Sequence, residues 1–83
     1  MVSPEFLASI LRNQGKPADA EPLVREALAI RKKLLGNEHL NVARSLDTLA
    51  AVLKEQGKLA EAEATQREAQ AIRAKQPQMQ PSP

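Results

Sequence analysis

Residues 14–33 read QGKPADAEPLVREALAIRKK, and residues 56–75 read QGKLAEAEATQREAQAIRAK. The two stretches lie 42 residues apart, and comparing residues 3–33 with 45–75 gives 17 identities in 31 positions. A duplication of this period is the mark of a stacked repeat, in which one unit cannot bury its apolar face alone and neighbouring units complete a shared core.

Working outward, each copy reads as two helices. Leu7, Ala8, Ile10 and Leu11 form one apolar stripe, which stops at Gly15. Pro17 then suits the first turn of a second helix, where a missing N–H costs nothing. That helix carries Ala20, Leu23, Val24, Ala27, Leu28 and Ile30, spaced by three and four, and is extended by Leu34 and Leu35. Arg31, Lys32 and Lys33 sit in its last turns, where cations oppose the negative end of the helix dipole. Gly36-Asn37 closes it. In the second copy Val42, Leu46, Leu49, Ala50, Val52 and Leu53 share a stripe, Gly57 stops it, and a fourth helix follows. The pattern predicts helices over about 4–14, 17–35, 39–56 and 59–75.

Composition agrees. Of 83 residues, 14 are Ala and 11 are Leu, while Phe6 is the one aromatic. Strong helix formers dominate and strand formers are scarce, so an all-β domain is excluded. There is no Cys, hence no disulfide or thiolate metal site to staple a small core. The 12 basic and 10 acidic residues give a net charge of +2, without the clustered basic face that nucleic acid requires. No run is long and apolar enough to span a membrane, and the N-terminus does not read as a signal peptide. A cytoplasmic protein is therefore expected.

These features resemble the tetratricopeptide repeat family, and the 42-residue period is similar to the repeats of kinesin light chains and their bacterial relatives. The resemblance covers residues 7–75 and rests on Leu7, Ala8, Leu11, Ala20 and Ala27, and on Leu49, Ala50, Leu53, Ala62 and Ala69. It implies an all-α fold: two helix–turn–helix repeats, 7–36 and 37–75, in a right-handed α-solenoid. Residues 1–6 are then a leader, either a natural start or a vector-encoded junction, and 76–83 a disordered Gln/Pro/Ser-rich tail. The family implies a protein or peptide partner, and its fold alone does not name one. Several positions depart from the family pattern. Pro17 and Leu59 stand where Tyr is frequent, and Asp47 and Thr48 replace the Asn pair of the kinesin-type groove. That substitution removes the expected clamp on a peptide backbone.

The fourth helix differs from the second in one direction. Leu23, Val24 and Leu28 become Thr65, Gln66 and Gln70. Such a helix reads as a solvent-facing terminal cap. The first helix has no such treatment.

Catalytic chemistry finds little footing. His39 is the single His, so a metal site lacks ligands, and a structural place before the third helix is expected for it. Ser9 and Ser45 have no readable base and orienting acid. Gly15 and Gly57 are isolated helix stops rather than a phosphate loop. No catalytic, metal or cofactor residue is assigned, and the chain is expected not to be an enzyme. The expected function is a non-catalytic module that presents the groove of its first helices to a peptide or protein, through Arg12, Asn13, Arg44, Asp47, Thr48 and Lys54. Nucleic acid is disfavoured because groove aromatics are missing. Two alternatives remain: a self-assembling homodimer joined through Phe6, Leu7, Ile10 and Leu11, and a terminal capping fragment of a longer scaffold.

Overall fold

The computed structural model describes residues 4–75 for the backbone and 6–75 for side chains. The leader residues 1–3 and the tail 76–83 lie outside the described residues. Among the described residues four helices form: α1 (Pro4–Asn13), α2 (Pro17–Leu35), α3 (Leu40–Glu55) and α4 (Leu59–Lys75). They pack in chain order, α1 on α2, α2 on α3 and α3 on α4. The predicted third helix, 39–56, is shorter by one residue at each end, because His39 and Gln56 are its caps.

The turns form because of two glycines. Gly15 and Gly57 adopt φ of 76° and 80°, a region that costs an L side chain energy and Gly nothing. In this conformation Gly15 N–H donates to Arg12 C=O at 3.0 Å and Lys16 N–H to Leu11 C=O at 2.8 Å. Gly57 and Lys58 repeat the pair, onto Lys54 and Leu53, at 2.9 Å each. Both turns are Schellman motifs, which satisfy carbonyls that the helix end leaves open. At the α2–α3 junction, His39 Nδ1 accepts from Asn41 N–H at 3.0 Å, so the expected structural role of His39 is that of an N-cap.

Alanine sets how closely the helices approach. Ala8, Ala20, Ala50, Ala62 and Ala69 are fully buried, and Ala8/Ala50 and Ala20/Ala62 are repeat equivalents. Around them α3 supplies the bulk of the core: Val42, Leu46, Leu49, Val52 and Leu53 are buried, joined by Val24 and Leu28 from α2 and Ile72 from α4. Both middle helices have a neighbour on each side, and α3 buries more of its residues between them than α2 does. Pro22 was not singled out by the periodic reading, yet α2 runs through it. It is exposed, so its ring meets solvent rather than a neighbouring helix.

Candidate interaction site

Two of the six expected groove residues are engaged in ion pairs. Arg12 Nε and Nη2 donate to the two carboxylate oxygens of Glu55 at 3.1 and 3.0 Å, a bidentate pair that ties α1 to α3 across the repeats. The hydrogen bond with Arg12 lowers the Glu55 pKa and the one with Glu55 raises that of Arg12. Asp47 accepts from Arg73 Nη1 at 3.3 Å and from Arg73 Nη2, joining α3 to α4. The Arg73 pKa is raised by this hydrogen bonding. Thr48 Oγ1 donates to Arg44 C=O at 3.2 Å.

Arg44, Lys54 and Asn13 are exposed, and their side chains make no ion pair or hydrogen bond among the described residues. The α3 surface therefore offers two uncompensated cations, while its acids Asp47 and Glu55 are already matched.

The expected self-association residues divide. Phe6, Leu7 and Ile10 are exposed, whereas Leu11 packs against the core cluster. Their repeat equivalents explain this. Leu49 and Val52 are 3 % and 0 % exposed, but Leu7 and Ile10, one period earlier, are 42 % and 36 % exposed. The second repeat has a preceding helix, α2, against α3; among the described residues α1 has no counterpart to it.

The densest polar cluster centres on Glu21, which sequence reading did not single out. Gln56 Nε2 and Lys58 Nζ donate to Glu21 Oε1 at 2.8 and 3.2 Å, and Arg25 Nε donates to Oε2 at 2.8 Å. Hydrogen bonds from Gln56 first and Arg25 next lower the Glu21 pKa to about 2. The signal was present as recurrence: Gln14/Gln56, Lys16/Lys58 and Glu21/Glu63 repeat exactly where helix propensity does not demand them. Arg25 does not pair with its neighbour Glu26. Adjacent helical residues diverge, and Arg25 reaches Glu21 one turn back and Glu61 at 3.6 Å instead.

The sign of the pH effect follows. A folded-state pKa below the usual 4.5 means that the Glu21 contribution is complete above that value and is lost as pH falls toward about 2. Glu21→Gln should flatten the urea midpoint between those pH values relative to the parent, while leaving the neutral-to-alkaline profile parallel. Parallel profiles over the acid range would remove Glu21 from the account.

Ser45 is buried and accepts from Arg31 Nη1 at 2.6 Å, so the hydroxyl belongs to the α2–α3 contact. A shallow cleft of about 280 Å³ is lined by Lys32, Glu38, Leu46, Glu68 and Ile72, among others. Among the described residues no group of three or more His, Cys, Asp or Glu could hold a metal ion, and no helix is long and apolar enough to cross a membrane.

The family model described as tetratricopeptide repeat matches residues 2–75. No curated protein matches the chain.

Proposed function

This chain belongs to the tetratricopeptide repeat family, and from that premise we propose that it is a non-catalytic interaction module whose α1–α3 surface takes an acidic peptide or protein segment. The observation that carries the reading is the imbalance on α3: Arg44 and Lys54 are exposed and unpaired among the described residues, while the nearby acids have partners. A carboxylate-bearing ligand would meet two cations without first displacing an internal pair. Asn13 and Thr48 add hydrogen-bonding capacity beside them. Arg12 and Asp47, in this reading, hold the surface in shape rather than grip the ligand. The 42-residue period favours comparison with kinesin-type repeats, although Asp47 and Thr48 replace their Asn pair.

The test is charge reversal. Arg44→Glu with Lys54→Glu should weaken an acidic ligand by at least about tenfold and flatten its salt dependence, because the attraction being removed is screened by ions. Binding indifferent to both substitutions contradicts the reading. Neither side chain is buried, so the double variant should retain its helical ellipticity.

A second reading, self-association, is favoured by the exposure of Leu7 and Ile10 at one end of the stack. Two repeats fall short of the about three that a stacked array needs for stability, and a second copy could cover this end. Sedimentation across a concentration series, with Leu7→Glu as the control, reads it directly. A monomer throughout would refute it.

A further inference from the structure

The end of the stack formed by α1 and the start of α2 has more than an apolar patch. The internal interface shows what such an end is built to receive. Where repeat two meets repeat one, Leu49 and Val52 are covered, and three polar residues grip α2: Gln56 and Lys58 donate to Glu21, and Glu61 receives Arg25. One period earlier the same set recurs as Leu7 and Ile10, with Gln14, Lys16 and Asp19. All five are exposed, and the side chains of Gln14, Lys16 and Asp19 make no hydrogen bond or ion pair among the described residues. Both the apolar seat and the polar grip are therefore present and unused.

The opposite end lacks the complementary half. What fits this receiving surface is α2, which carries Leu23, Val24 and Leu28 alongside Glu21 and Arg25; α4 carries Thr65, Gln66 and Gln70 at the three apolar positions. A second copy presenting α4 would set amides against Leu7 and Ile10. A second copy presenting its own α1 would match the apolar patch, but its Glu5 and Arg12 stand seven positions apart rather than four, and Arg12 is already held by Glu55.

We infer that this end face docks an amphipathic helix of a partner protein with the α2 pattern: a Glu, apolar residues two, three and seven positions later, and an Arg four positions later. The Glu accepts from Gln14 and Lys16, the Arg pairs with Asp19, and the apolar residues cover Leu7 and Ile10. The site is separate from the α3 cations of the groove, so the two can fail independently.

The probe is a synthetic peptide of residues 17–35 with Pro22→Ala, labelled at its N-terminus and titrated with the full chain by fluorescence anisotropy. Saturable binding is expected, weakened at least about tenfold by Leu7→Glu or Ile10→Glu, the loss of a single well-covered contact. Lys16→Glu should weaken this peptide and strengthen one that also bears Glu21→Lys. These three chain positions are exposed, and circular dichroism of each variant checks that the helices persist. Exchange of the peptide for the chain's own α2 would be indifferent to Leu7 and Ile10. Binding that ignores both substitutions, or a charge swap that restores nothing, overturns the inference. So does a chain that takes no peptide, including one that sediments as a dimer dissolved by Leu7→Glu, where a second copy is the occupant.

Discussion

Leu53→Ala should abolish cooperative folding at room temperature, or leave a thermal transition so low that the chain is largely unfolded. Leu53 is fully buried in α3, a helix that packs against both α2 and α4. Truncating a buried Leu costs about 2–5 kcal/mol, part transfer and part cavity. A single core of this size supplies only about 3–5 kcal/mol, and no disulfide reinforces it. The loss is thus comparable to the whole. Leu34→Ala is the control, because Leu34 is 76 % exposed and its truncation should change stability by less than about 0.5 kcal/mol. Equal effects at the two positions, measured by urea denaturation, would contradict the assignment of α3 as the centre of the core.

Pro22→Ala is expected to act in the opposite direction, with a gain of about 2 kcal/mol. Pro22 lies six positions into α2, past the first turn where a missing N–H goes unnoticed. There the ring opposes the Ala18 carbonyl and removes one helical hydrogen bond, a cost of about 3 kcal/mol relative to Ala. The loss of about 0.4–1 kcal/mol from a more flexible unfolded chain offsets part of the gain. The equivalent position in α4 is Ala64, so the repeat itself accommodates Ala there. For a domain of this length the midpoint should rise by about 10 °C. An unchanged midpoint would mean that α2 begins at Pro22 in solution, with Pro22 rather than Pro17 in the tolerated first position.

The helices were legible because their punctuation is local. Gly15, Pro17 and Gly57 state where a helix stops and starts, and the spacing of Leu and Ala states which side is apolar. The site was legible only by side of helix. Periodicity puts Arg12 and Asp47 on the outer surface of their helices, but the residues that claim them, Glu55 and Arg73, lie 43 and 26 positions away. Contacts at that separation depend on how repeats stack, which no single helix specifies. The Glu21 cluster was hidden for the same reason, since it joins α2 to Gln56 and Lys58 of the next repeat. The openness of Leu7 and Ile10 is legible from their place in the first repeat, where a self-association surface is expected; that Leu11 packs on the core instead needed the structure.

The central claim is that the α1–α3 surface binds through cations left free on α3. Amide and side-chain NMR shift mapping, with an acidic peptide titrated into the labelled chain, tests it most directly. The account predicts shifts concentrated at Asn13, Arg44, Thr48 and Lys54, lost in the Arg44→Glu, Lys54→Glu variant and reduced by added salt. Shifts centred instead on α2 and α4, with Arg44 and Lys54 unmoved, would contradict it.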